Sequence, residues 1–242
     1  MRLNKYLSDA GVCSRREADR NIAEGKVLVN GKVAELGTQV SPEDEVIFNG
    51  KRVKGDEDKV VLAYNKPIGI ECTSNLSVKK NIIEAVGYHK RVYPVGRLDK
   101  MSEGLILLTN DGELSNRILK ARYFHEKEYI VHVDKPISKA FLVNMSKGVN
   151  ILDTVTRPCD VFKLTDRTFR IVLTQGLNRQ IRRMCETLGY EVVKLKRIRV
   201  LNIMLGNLEV GKWRLLTNDE LSELRSLTEI EAEDAFESQD FE

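Results

Sequence analysis

Gly96-Arg97-Leu98-Asp99-Lys100-Met101-Ser102-Glu103-Gly104-Leu105-Ile106-Leu107-Leu108-Thr109-Asn110-Asp111-Gly112 is the stretch on which the reading of this chain turns. The apolar run Leu105 to Leu108, bounded by turn formers, predicts a strand buried on both faces, closed by a turn at Asn110-Asp111-Gly112. Asp99 then sits on a loop leading into the core. An aspartate in a turn is ordinarily a hydrogen-bonded turn residue, so position alone does not give Asp99 a chemical role.

Outward from this centre the pattern is mixed. Val60 to Tyr64 reads as a core strand, followed by a proline-initiated turn at Lys66-Pro67-Ile68-Gly69, a short helix from Ile82 to Val86, and Arg91 to Val95 leading into the central stretch. After it come a helix from Glu113 to Lys120 and a strand from Lys127 to Val133 whose Tyr129, Val131 and Val133 share one face. A helix over Ile137 to Met145, a strand over Thr168 to Thr174 and a turn at Gln175 to Asn178 follow. The helix Arg179 to Leu188 carries Ile181, Met184, Cys185 and Leu188 as one apolar stripe. Arg179 and Arg183 lie opposite that stripe, with Arg182 at its margin. Strands near 192–195, 198–205 and 213–216 and a helix over 219–227 complete a mixed α/β domain spanning 60–227.

The N-terminal part is separate. A helix with Leu3, Leu7 and Ala10 on one face stops at Gly11, and Ser14 with Glu17 forms a capping box for a second helix ending at Gly25. Asn30-Gly31 and Asn49-Gly50 mark two hairpins. We place the module at 1–53 and an exposed linker at 54–59. Over the first 34 residues Arg2, Lys5, Arg15, Arg16, Arg20, Lys26 and Lys32 face only four acids.

The chain has 242 residues, 42% hydrophobic and 31% charged, enough for two domains with a sizeable core. Its net charge of +3 conceals a strong asymmetry. From residue 218 onward ten acids stand against Arg225 alone, a charge of −9, which leaves the preceding 217 residues at +12. A basic body suits a polyanion, and the acidic end over 228–242 reads as disordered. No apolar run is long enough for a membrane helix, and the start resembles no targeting peptide, so a cytoplasmic location is expected. Cys13, Cys72, Cys159 and Cys185 are widely spaced, which predicts free thiols and no metal site.

The order Gly96-Arg97-Leu98-Asp99, Ser102, Gly104-Leu105, Leu107-Leu108-Thr109-Asn110-Asp111-Gly112 closely resembles the catalytic motif of the RsuA/RluF branch of pseudouridine synthases. Residues 3–34 resemble the S4 RNA-binding domain throughout, Lys66-Pro67-Ile68-Gly69 the first synthase motif, Lys127-Glu128-Tyr129-Ile130-Val131 the tyrosine motif, and Gly176 to Met184 the third. The likeness covers residues 1–227, and within the branch it is nearest to the RluF type. It implies an α+β chain: a small S4-like domain followed by a catalytic domain with a largely antiparallel sheet. It implies that Asp99 is catalytic, that Tyr129 lines the active site and that Arg182 pairs with the aspartate. It also implies no cofactor and an RNA partner: large-subunit (23S) ribosomal RNA, with a transfer RNA as a second substrate. A monomer is expected.

Isomerising uridine breaks the bond from N1 to C1′ and rejoins the base through C5, with no net oxidation. It calls for a poised carboxylate, which Asp99 supplies, and an opposite charge to keep it ionised in a pocket, the role given to Arg182. A stacked uridine must be extruded, and Arg97 is placed to fill the gap or hold the backbone. Arg2, Lys5, Arg15, Arg16, Arg20, Lys66, Arg179 and Arg183 are the expected RNA contacts. Two rivals share these features: a noncatalytic RNA-binding or assembly factor on the same fold, and a glycosidase pairing Asp99 with Glu103. Intact Asp99, Tyr129 and Arg182 argue against the first, and the basic body against the second.

Overall fold

The structure is a computed structural model that describes residues 1–54, 58–120 and 123–237, with side chains through 229. It divides into two compact units. Residues 55–57, half of the expected linker, lie outside the described residues.

The smaller unit contains helices α1 (Leu3–Asp9) and α2 (Arg15–Ala23) and strands β1 (Val27–Val29), β2 (Lys32–Val33), β3 (Val46–Phe48) and β4 (Lys51–Arg52). The expected capping box forms: Glu17 N donates to Ser14 Oγ at 3.2 Å, and Ser14 N to Glu17 Oε2 at 3.4 Å. Both Asn-Gly turns form as well. Asn30 and Gly31 take φ of 50° and 77°, the double positive φ that a two-residue hairpin demands, and Val29 pairs with Lys32 across them. The strands order as β2-β1-β3-β4, and Leu3, Leu7, Ala18, Ile22, Val27 and Val46 make the core.

The larger unit begins with β5 (Val61–Lys66), α3 (Ile82–Val86), β6 (Tyr93–Val95), β7 (Glu103–Thr109), α4 (Gly112–Leu119) and β8 (Lys127–Val133). It continues with α5 (Lys139–Lys147), β9 (Asn150–Ile151), β10 (Thr154–Val155), β11 (Asp160–Thr165), β12 (Thr168–Leu173) and α6 (Gln180–Thr187). It closes with β13 (Val192–Val200), β14 (Ile203–Met204), β15 (Trp213–Leu215) and α7 (Asn218–Glu237). One large sheet runs β11-β12-β8-β13-β7-β5-β15, with β6 on β7 and β14 on β13. As expected, β7 is buried along its whole length.

Every pair in that sheet is antiparallel except β7 with β13, which meet through Lys196 opposite Glu103 and Arg197 opposite Gly104. Gly104 makes the approach possible. Its φ is +106°, and a Cβ there would collide with the Arg197 carbonyl and lie 2.7 Å from the Arg197 nitrogen. Apolar clusters fill both halves: Val131, Phe141, Phe169, Ile171 and Met184 on one side, Leu105, Leu107, Leu114, Ile118 and Ile203 on the other.

Two readings are corrected, and one edge strand is added. The helix after the last strand does not end near 227 but continues to Glu237, through a segment of good helix formers. Residues 238–242 lie outside the described residues. The stretch 192–200 is one strand rather than part of two, and the turn at Leu201, with φ of 51°, starts the short return strand β14. The edge strand β11 is new; its exposure leaves no alternating apolar pattern to read.

Candidate active site

Asp99 lies on the loop between β6 and β7, and other parts of the larger unit hold that loop from several sides. Ser102 N closes a turn on Asp99 O at 3.0 Å, and Leu98 N donates to Cys72 Sγ at 3.4 Å. Lys66, fully buried, donates from Nζ to Pro67 O and Ile70 O at 2.9 Å each, fixing the turn whose Gly69 N reaches Lys100 O at 2.8 Å. Burial also pulls the Lys66 ammonium below its ordinary value. The expectation that Lys66 touches RNA is therefore corrected: it acts inside the fold, as a brace under the Asp99 loop.

The Asp99 carboxylate is about one-third exposed and lies between two guanidinium groups. Arg179 Nη1 is 3.8 Å and Arg182 Nε is 3.9 Å from Oδ2. These are ion-pair distances, too long for direct hydrogen bonds. Arg182 spends its terminal nitrogens elsewhere: Nη1 on Val192 O at 3.1 Å, Nη2 on Met101 O at 3.0 Å and Ser102 Oγ at 3.4 Å. Its Nε is buried without a hydrogen-bond partner. Arg182 thus faces Asp99 with Nε alone at ion-pair distance, while its fork holds Met101 and Ser102 of the same loop and the Val192 carbonyl. Burial and the neighbouring Arg179 both lower the Arg182 guanidinium, and Asp99 opposes them.

Arg179 was expected to point away. Its left-handed backbone, φ 50°, at the N-cap of α6 turns it toward Asp99 instead. Arg183 is tied to Asn178 through O at 3.1 Å and Oδ1 at 3.2 Å, so it braces the turn before the helix.

A cleft of about 780 Å³ opens over this loop. Arg97, Asp99, Tyr129 and Arg179 all line it, and so do Lys127, Gln175, Gln180 and Arg197. Neither Lys127 nor Arg197 was given a place in the site from sequence, though a signal existed: Lys127 stands two residues before Tyr129 on an alternating strand. Burial, reinforced by Arg197, brings the Lys127 amine down to about 8. Glu103 faces Lys194 at 3.1 Å and does not line the cleft, so the pairing of Asp99 with Glu103 that a glycosidase would use does not form. Arg2, Arg15, Arg16 and Arg20 are exposed on the smaller unit, and Lys5 is half-buried there.

Comparison with known proteins accounts for this arrangement. Residues 60–187 match the family model for RNA pseudouridylate synthases, and residues 1–46 match that for the S4 domain. The chain belongs to the RNA pseudouridine synthase family, in its S4-bearing branch, and is an enzyme acting on RNA. It is 54% identical over 231 residues to the dual-specificity RNA pseudouridine synthase RluF of Escherichia coli K12, covering 95% of this chain and 80% of that one. It is 38% identical to the ribosomal large subunit pseudouridine synthase B of Bacillus subtilis, covering 94% and 97%. A crystal structure of a pseudouridylate synthase superposes with a TM-score of 0.68 at 29% identity, covering 94% and 99%. No helix among the described residues is long and apolar enough to cross a membrane.

Proposed function

We propose that this enzyme converts uridine to pseudouridine in large-subunit (23S) ribosomal RNA, with a transfer RNA as a second substrate, using Asp99 as the catalytic carboxylate. The observation that carries the assignment is the placement of Asp99: on a braced loop, at the wall of the cleft, between Arg179 and Arg182 at 3.8 and 3.9 Å. A carboxylate placed there can attack carbon or stabilise positive charge at C1′. Tyr129, beside it in the cleft, offers a ring for the extruded uracil to stack on, and exposed Arg97 takes the backbone or the space the base leaves. Arg179 and Arg182 set two guanidinium groups beside the carboxylate, and Arg182 also positions its loop. Arg2, Lys5, Arg15, Arg16 and Arg20 bind a neighbouring RNA helix through phosphates. The names of the relatives, one dual-specificity and one acting on the ribosomal large subunit, support this choice of RNA. The enzyme works as a monomer in the cytoplasm, where ribosomal RNA is made.

The test is to incubate the purified protein with unmodified large-subunit ribosomal RNA and, separately, with transfer RNA, then map pseudouridine by carbodiimide modification and primer extension. A new stop in the ribosomal RNA is expected. Stops in neither RNA would reject the substrate assignment.

A further inference from the structure

Two cations in the cleft have no acidic partner. Arg197 is 4% exposed and donates from Nε to Leu105 O at 2.7 Å, while its Nη2 is buried with no hydrogen-bond partner. Lys127 donates to His125 O at 3.0 Å. Among the described residues neither has a carboxylate within ion-pair distance, and a buried charge without one is costly unless something else compensates it.

Their position says what that something is. In the sheet register Arg197 stands directly opposite Tyr129, and Lys127 is two residues from Tyr129 on the same strand, so the three side chains share one face. All three line the cleft that holds Asp99. Arg97 and Lys120 are exposed in the cleft, where phosphates can reach them, whereas buried Arg197 and half-buried Lys127 flank the ring on which the base would stack.

We propose that Arg197 and Lys127 donate to the uracil carbonyl oxygens and stabilise the negative charge the base gains during the reaction. When the bond from N1 to C1′ breaks, its electron pair stays on the uracil and spreads onto O2 and O4. The base then forms its new bond from C5 to C1′, C5 loses its proton, and N1 gains one, so atoms and electrons balance with no further reactant. If Asp99 adds to the ring instead, the charge again appears on a carbonyl oxygen, and the same donors serve. Fixed donors aimed at charge that develops in the transition state are an effective use of buried cations. This inference rests on the assignment of the Asp99 cleft as the active site.

The experiment uses the full chain and a transcript of the ribosomal RNA segment it modifies, carrying uridine, 2-thiouridine or 4-thiouridine at the target position. Sulfur is a poor hydrogen-bond acceptor, so each thio substitution deletes one acceptor. Arg197→Met and Lys127→Met should each slow single turnover by about 10²- to 10³-fold, with RNA affinity changed by less than about threefold, because neither is at the phosphates. A thio substitution that slows the wild type should slow the matching variant little further, because the contact is already gone. Arg197→Lys, which keeps a charge but not the fork, should fall between. If Arg197→Met does not fold, Lys127→Met carries the same test. Wild-type rates in both variants, or thio effects that multiply independently in every enzyme, would overturn the proposal. Wild-type turnover by Asp99→Asn in the same assay would instead overturn the site assignment.

Discussion

Replacing Gly104 by alanine perturbs the one parallel junction in the sheet. The added Cβ meets the backbone of Arg197, its carbonyl and its nitrogen at 2.7 Å, and no side chain can rotate away to make room. Alanine at φ +106° adds strain of about 1 to 3 kcal/mol, and overpacking into fixed backbone costs about 1 to 3 kcal/mol more. Together these come to about 2 to 6 kcal/mol, a large share of the roughly 5 to 15 kcal/mol that holds a domain folded. Trp213, the single tryptophan, lies on β15 of the same sheet and bonds Val86 O at 2.9 Å, so its fluorescence reports this unit. Urea unfolding followed at Trp213 should show Gly104→Ala less stable by at least about 2 kcal/mol. A change under about 0.5 kcal/mol, the range of an ordinary surface substitution, would refute the claim that Gly104 is there to admit Arg197. Turnover should drop as well, even in dilute buffer where the variant is folded, since the displaced strand carries the Arg197 side chain.

Arg182→Ala removes three hydrogen bonds to the Asp99 loop and its neighbouring strand together with one flanking charge. Single turnover should slow by at least about 2 kcal/mol in barrier, while the slope of log affinity against log salt stays unchanged; a normal rate with a shallower slope would make Arg182 a phosphate contact instead. The Lys127 amine, at about 8 in the folded protein and 10.5 when free, is neutral in the native chain while still protonated in the unfolded one between those values. The unfolded chain then binds more protons, so this group makes stability rise with pH from 8 to 10.5, by at most about 3 kcal/mol. Lys127→Met should lose that rise, and a stability difference between wild type and variant that is flat across the window would contradict it.

The parts of the fold that local chemistry determines were legible from the residues alone. Ser14 with Glu17, the two Asn-Gly turns and the apolar run after Gly104 are each short-range devices, and each forms as read. The edge strand Asp160–Thr165 was not legible, because exposure on both faces removes the alternation that marks a strand. Nor was the length of the last helix, where acidic composition looked like disorder although Ala and Glu are good helix formers. Within the site, the loop position of Asp99 and the shared face of Tyr129 and Val131 followed from spacing. The inward turn of Arg179 did not, because it depends on a left-handed backbone at the helix cap that a wheel diagram assumes away. Arg197 was hidden for a different reason: it reaches the cleft only through a long-range pairing with Gly104 and Tyr129, which no local pattern encodes.

The central claim is that the Asp99 carboxylate performs the chemistry and does not merely bind RNA. Asp99→Asn keeps the size of the side chain and removes one charge beside Arg179 and Arg182, a small change for a body that carries +12. The direct measurement is single-turnover pseudouridine formation by Asp99→Asn on ribosomal RNA, produced in cells lacking the wild-type enzyme and paired with a binding isotherm on the same RNA. Asp99→Asn should give no detectable product, with affinity within about threefold of wild type, since non-specific phosphate contacts dominate binding. Appreciable turnover by that preparation would contradict it.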